Sequence, residues 1–412
     1  MLRDLRSTVR LLIGRPLIAF AVGALAIVAL AIVALAMGPL AWAQTPARPE
    51  PYRLTVIVSD LGAAAPRGLL ERRVAEAWAA RRAGLGGIYG RPLEVRVVSD
   101  AGSPARAERA ASDAIETGAH ALVCCSTSAA TTRVAPVAAL AGVPLLSPTV
   151  GGTDAAAGWQ FVLAADEATQ LQAVVRDAYG RGVTRLGIMT LAGPFGDTAV
   201  ARLRSFLGVP ELQLVAEARY PADAAVLTPE ALRVATREPG TIVVWGLRDD
   251  TALAVRGLRE RGWHGPVYLR AALLDPLAGG LPSGLSGEVR IPASPASLPG
   301  AVDPDDPADS WLFDARSLGD DRLESRPYLA DGAIAHDALV LLGRAFEQAA
   351  GYGVDPEDLR GFRLALRDAL VALPETTLAA GRYDLAMDST QAALAHGLAM
   401  GHLVAGRLAP LR

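Results

Sequence analysis

The chain has 412 residues and contains neither Lys nor Asn, so all 40 of its basic residues are Arg. That composition excludes a Walker lysine, a Schiff-base lysine and an Asn-linked glycan. A formal charge of −3 with no basic patch also argues against a nucleic-acid surface.

Residues 1–43 read as a secretory signal. Arg3, Arg6, Arg10 and Arg15 form a positive n-region, Leu17 to Leu40 is uncharged and mostly apolar, and Ala41-Trp42-Ala43 offers the small residues a signal peptidase needs. Cleavage would start the mature chain at Gln44 and take the formal charge to −6. The apolar run could also span a bilayer core of about 30 Å, so an uncleaved anchor is the alternative. Either way the positive n-region leaves the body of the chain outside the cytoplasm. No Arg-Arg pair precedes the run and no Cys follows it, so neither a twin-arginine signal nor a lipid anchor is indicated.

About 369 residues follow, enough for two domains. Leu54 to Ser59, Leu93 to Ser99, Ala121 to Cys125 and Pro144 to Ser147 read as strands. Helices at Arg67 to Ala83, Ser103 to Thr117 and Thr131 to Ala141 separate them. This alternation predicts a parallel, doubly wound α/β sheet. A second series follows, with strands at Arg185 to Thr190, Leu212 to Ala218, Thr241 to Trp245 and Val267 to Arg270. Its helices come after Gly196, around Pro229 to Arg237 and at Asp250 to Gly262. Ala293 to Asp321, rich in Pro and Asp, reads as loop. Helices at Asp331 to Ala350 and Pro356 to Leu373 precede a last strand-like piece.

Gly118 to Thr149 carries the strongest functional signal. Two apolar runs flank a helix that opens in Ser126, Thr127 and Ser128, and a parallel crossover of this kind aims the helix N-terminus, with its unpaired N–H groups, at the carboxyl edge of the sheet. Open parallel sheets bind ligands at that edge. The three hydroxyls read equally as helix caps. Cys124 and Cys125 are the only cysteines; adjacent Cα atoms lie about 3.8 Å apart across a trans peptide, less than a disulfide usually spans, so two buried free thiols are expected. The five histidines show no metal spacing, and no nucleophile elbow, zinc-protease, Cys-x-x-Cys or dinucleotide motif is present. Neither an enzyme, a metal site nor a cofactor is expected.

Several phrases carry a family resemblance in their order and spacing. They are GLGGIYGRPLEVRVVSDAGSPARA at Gly84 to Ala107, APVAALAGVPLLSP at Ala135 to Pro148, RLGIMTLAGPFGDTAV at Arg185 to Val200, and the strand entry at Gly262 to Leu269. Together they resemble periplasmic solute-binding proteins of the type I fold, in the leucine/isoleucine/valine receptor branch that serves ABC importers. Ala335-His336-Asp337-Ala338 and Gly381-Arg382-Tyr383-Asp384 match the family's C-terminal region more loosely. The resemblance implies two doubly wound parallel-sheet lobes joined by three crossovers, near Leu163, Ser286 and Leu373. One lobe would hold residues 44–163 and 286–372, the other 164–285 and 373–412. A small-molecule ligand would sit between them, and hinge closure would present it to a membrane permease in the periplasm. The membrane would be met only through that transporter or an uncleaved anchor. A sensor module of the same fold, signalling to a membrane partner, is the contrasting reading.

The resemblance also implies binding residues. Ser128 occupies the position of the family's carboxylate-binding hydroxyl, with Ser126 in the same cluster, and Thr149, Val150 and Gly151 follow the Ser147-Pro148 turn that adds carboxylate contacts. In the second lobe Phe195 replaces a Tyr, and Leu247 or Arg248 stands where an aromatic is usual. Trp245 at a strand end reads as ligand wall or core alike. The acid that pairs a ligand ammonium aligns with Ala271 beside Arg270. Burying an ammonium without a carboxylate is costly, so the expected solute is carboxylate-bearing or aromatic and not zwitterionic, unless Asp275, Asp249 or Asp250 reaches the pocket.

Overall fold

The computed structural model describes residues 49–208, 211–298, 311, 328–404 and 406–411. The expected signal segment and most of the loop expected over Ala293 to Asp321 lie outside these residues.

The first lobe is built on β1 (Tyr52–Val58), α1 (Ala65–Gly84), β2 (Leu93–Ser99), α2 (Pro104–Glu116), β3 (Ala121–Cys124), α3 (Ser128–Leu140), β4 (Leu145–Ser147) and β5 (Gln160–Val162). All neighbouring strands pair in parallel, in the order β2-β1-β3-β4-β5. The second series runs α4 (Glu167–Gly180), β6 (Arg185–Leu191), α5 (Pro194–Phe206), β7 (Gln213–Tyr220), α6 (Thr228–Ala235), β8 (Thr241–Trp245), α7 (Asp249–Glu260), β9 (Val267–Tyr268) and β10 (Val289–Ala293). Its parallel order, β7-β6-β8-β9-β10, repeats the first lobe strand for strand. After a short antiparallel pair, β11 (Thr376–Thr377) and β12 (Arg382–Tyr383), the antiparallel strands β13 (Ala399–Val404) and β14 (Arg407–Pro410) extend this second sheet beyond β10.

The central strands β3 and β8 are buried along their whole length, as parallel strands covered on both faces must be. Each lobe begins with one close helix-to-strand approach. A Cβ on Gly68 of α1 would collide with the Ser59 carbonyl just past β1, and one on Gly196 of α5 would collide with that of Leu191 at the end of β6. Only glycine fits either place, and the first draws Arg67 over the sheet's carboxyl edge.

After β10 the chain returns to the first lobe. Helices α8 (Leu329–Gly351) and α9 (Leu359–Val371) cover one face of its sheet, where Tyr52, Phe346 and Phe362 join one apolar core. Buried Asp337 of α8 accepts hydrogen bonds from Ala379 N (3.1 Å), Ala380 N (2.7 Å) and the Tyr383 hydroxyl (2.9 Å). Burial, partly offset by these bonds and His336, pushes the Asp337 carboxyl up. Residues 390–392 then run beside β5 through Val162 before the chain enters β13.

Within the two parallel series, three elements went unread in the sequence: β5, α4 and β10. Sheet membership also sets the later passages between lobes differently from the expected points. The chain is still in the second sheet at β10, beyond Ser286, and Leu378 to Ala393 still pack in the first core, beyond Leu373. Free thiols at Cys124 and Cys125 are likewise not what is found: the two form a disulfide across a cis peptide, with Cα atoms 3.1 Å apart, so the trans-peptide premise does not hold here. His120 is a satisfied core histidine, accepting from Arg53 N at Nδ1 (2.9 Å) and facing the Pro356 carbonyl at Nε2 (2.9 Å).

Candidate functional site: the cavity between the lobes

A cavity of about 260 Å³ lies where the carboxyl edges of the two sheets face each other. Both lobes and all three connecting segments contribute to its wall, the last through Leu163 to Ala165, Pro292 to Ser294 and Ala393 with Leu394.

On the first lobe the wall begins with α3. Thr127 caps this helix by accepting from Ala130 N, so Ser128 is its first residue, with an exposed hydroxyl on the cavity. The N–H groups of a helix's first turn have no intrahelical acceptor, and the dipole favours an anion there. Thr149 and Val150 line the cavity beside it, and their backbone N–H groups have no backbone acceptor among the described residues. The Thr149 hydroxyl, however, is already engaged. It donates to the Cys125 carbonyl (3.0 Å) and meets the Thr131 hydroxyl at 2.8 Å, so this residue offers a ligand its backbone N–H instead.

A charged cluster completes this side. Arg67 is almost wholly buried; its guanidinium donates to the Ser126 carbonyl (3.0 Å) and pairs with Asp331 of α8 (3.0 Å). It also pairs with Asp275 (2.9 Å), which belongs to the second lobe, so one arginine bridges the cleft. Burial alone would lower the Arg67 pKa, but the carboxylates of Asp331 and Asp275 raise it. Behind Arg67, Glu71 is fully buried, and desolvation pushes its carboxyl up to about 8 against the pull of the Ser126 hydroxyl and Arg67. Burial likewise lifts Asp331 to about 6, with Arg67 opposing and Asp275 adding to the rise.

The second lobe presents a blander wall: Ala271, Ala272 and Leu274 in the turn after β9, then Asp275. Gln170 of α4 lines it too, but its side chain accepts from Ala271 N (2.9 Å) and donates to the Ala165 carbonyl (2.9 Å).

Of the residues expected to bind, Ser128, Thr149 and Val150 line this cavity; the others do not. Ser126 is buried behind it, its hydroxyl accepting from Ser59 N (2.8 Å) and donating to Glu71. Gly151 packs against Ser128 and Thr131, off the lining. Trp245 is core, with its indole N–H on Glu167 (3.2 Å). Phe195 packs against both cores of the second lobe, under the Arg270 guanidinium at 5.0 Å. Arg270 pairs with Glu167 and donates to the Gly246 carbonyl (3.2 Å). Leu247 faces solvent, and Arg248 pairs with Asp249 (2.8 Å) while donating to the Gly279 carbonyl (3.0 Å). These arginines sit at strand ends, as ligand-binding residues do, but acceptors within their own lobe engage them, leaving the buried Arg270 Nε without a hydrogen bond among the described residues. Asp250 is taken by the Tyr220 hydroxyl (2.9 Å) and Leu247 N (3.1 Å).

Sequence reasoning named Asp275 only as an alternative and missed Arg67 and Asp331, whose positions at helix starts suggested nothing beyond helix formation. The premise of a pocket without acids therefore fails: two carboxylates stand on its wall.

Comparison with known proteins agrees with this architecture. No curated protein matches the chain at the sequence level. A putative branched-chain amino acid ABC transporter protein from Rhodospirillum rubrum is 20% identical with a TM-score of 0.70, covering 88% of this chain and 100% of its own. An extracellular ligand-binding receptor from Rhodopseudomonas palustris HaA2 is 21% identical with a TM-score of 0.64, over 88% and 100%. An ABC transporter substrate-binding protein from Desulfitobacterium hafniense, solved in complex with Leu, is 15% identical with a TM-score of 0.64, again over 88% and 100%. At such identities the likeness establishes the fold. The family described as periplasmic binding protein matches residues 51–406, nearly the whole of the two-lobed body, and the chain belongs to that family.

Proposed function

We propose that the protein works outside the cytoplasm, captures a small polar or carboxylate-bearing solute in the cavity between its lobes, and delivers it to the membrane permease of an ABC importer. The observation that carries this reading is the convergence of free donors on one cleft cavity. The start of α3 and the Thr149–Val150 turn lie at the switch point of the first sheet, and the second lobe closes over them through the Arg67–Asp275 pair. Of the described residues, 52–163 with 294–298 and 328–393 would move as one body, and 164–208 with 211–293, 394–404 and 406–411 as the other. The three connecting segments that line the cavity would absorb the rotation. No chemical step is part of this reading.

Thermal-shift screening of the mature chain against carboxylates, amides, aromatic acids and amino acids tests it, because a ligand that binds only the folded state raises the melting temperature by mass action. A hit that Ser128→Ala weakens supports the cavity as the site. A panel without a single stabilising solute overturns the capture reading. For delivery, the expected result is solute-dependent stimulation of ATP hydrolysis in a reconstituted ABC permease.

A further inference from the structure

We propose that Asp331 is a specificity-determining residue of the cleft: its carboxylate receives a positively charged group of the solute on the same lobe that offers the α3 donors, and Asp275 joins it from the second lobe on closure. This rests on the cavity being the solute site.

The charge count on the wall is the first support. Arg67 pairs with Asp331 and Asp275 at 3.0 and 2.9 Å, and among the described residues no other cation pairs with either. The other arginine on the lining, Arg382, pairs with Glu375 at 3.3 Å and is half exposed. Among the described residues, two carboxylates thus share one guanidinium, an excess of one negative charge on this part of the wall. Glu71 contributes no further charge near neutrality, because burial holds its proton on.

The way Arg67 meets Asp331 is the second support. Arg67 Nε lies 3.0 Å from Asp331 Oδ1, yet makes no hydrogen bond although its side chain is only 8% exposed. Asp331 therefore neutralises Arg67 through a poorly aligned contact, and among the described residues its carboxylate takes no other side-chain donor. Burial raises the Asp331 pKa against the pull of Arg67, and a bound ammonium would lower it.

Placement is the third. Ser128, Thr149 and Asp331 all belong to the first lobe and line one cavity. A solute with an anionic and a cationic end could engage that lobe alone, before closure. The second-lobe position where the resemblance expects an ammonium partner is Ala271, which has no charge to offer.

Calorimetric titration of the mature full-length chain with matched probes tests this: leucine against 4-methylpentanoate, phenylalanine against 3-phenylpropanoate, glutamate against glutarate. Within a pair that binds, the amine-bearing member should be tighter by about tenfold or more, the usual weight of a hydrogen bond to a charged group. Asp331→Asn should shrink that gap to about threefold or less while leaving the des-amino acid nearly unchanged, and Asp275→Asn should shrink it less. Ser128→Ala, by contrast, should weaken both members alike. A wild-type chain that binds the des-amino acid as tightly as its partner overturns the proposal without any variant. So does an Asp331→Asn protein that weakens both members equally. If no probe binds, the cleft reading falls and this inference with it.

Discussion

The two lobes share one strand order but use their carboxyl edges in opposite ways. In the first, the polar groups at the edge are left open: the start of α3, the N–H groups of Thr149 and Val150, and the Asp331 carboxylate. In the second, the corresponding groups are consumed internally, Trp245 and Arg270 by Glu167, Arg248 by Asp249 and the Gly279 carbonyl, Asp250 by Tyr220. A repeated topology fixes where a site can form, while local hydrogen bonding decides which copy supplies it. The first lobe is organised to receive, the second to cover.

The harshest way to break this comparison is Trp245→Ala. The side chain is fully buried among Tyr268, Ile188 and their neighbours, so its loss should cost about 3–5 kcal/mol of stability. Denaturant unfolding measures it. An unchanged midpoint combined with lost solute binding would restore Trp245 as a ligand wall. Next comes Ser128→Ala, which should weaken a carboxylate solute by about 1.5–3 kcal/mol, roughly tenfold or more, with little change in melting temperature. Arg270→Ala should do the reverse. Its partner Glu167 is 41% exposed, so about 1 kcal/mol of stability is at stake, and solute affinity should stay within about threefold. If titration shows a tenfold loss instead, the second lobe is a binding surface after all.

Titration of Glu71 sharpens the comparison through pH. Glu71 carries a carboxyl raised from 4.5 to about 8 by burial, so between those values the native state holds a proton that the unfolded chain releases. Stability should therefore fall as pH rises from about 4.5 toward 8, with Asp331 adding slope of the same sign below about 6. Glu71→Gln should melt higher than the parent at pH 8, and the difference should vanish near pH 4.5. A melting temperature that rises over this window in the parent would show that Glu71 is ionised in the native state.

Much of the fold was legible because strand and helix periods alternate plainly through both series. The unread elements differ in kind. β5 is three residues long, and Pro292 inside β10 argues against a strand. α4 did leave a signal, since Asp166 caps it at Thr169 N (2.7 Å) and Gly182 follows its end. In the site, Ser128 and Thr149 could be placed because a helix start after a buried strand has a fixed location. Arg67, Asp275 and Asp331 come together only in three dimensions, from segments far apart in the chain, and no local pattern announces such a meeting. Arg248 and Arg270 were over-read for the converse reason: their partners are equally distant and equally invisible in the sequence.

The ring cluster beneath the first sheet bears on how the molecule is made. Tyr52, at the very start of β1, stacks on Phe362 of α9 at 5.1 Å and tilts against Phe346 of α8 at 5.5 Å. A ribosome delivers the first lobe's strands long before those two helices, and until they arrive one apolar face of that sheet stays open to water or to another chain. The second lobe's parallel strands arrive in one uninterrupted stretch and can cover themselves at once. A message truncated ahead of α8 should thus yield a product with one finished half and one adhesive one, prone to aggregate through Tyr52 and its neighbours.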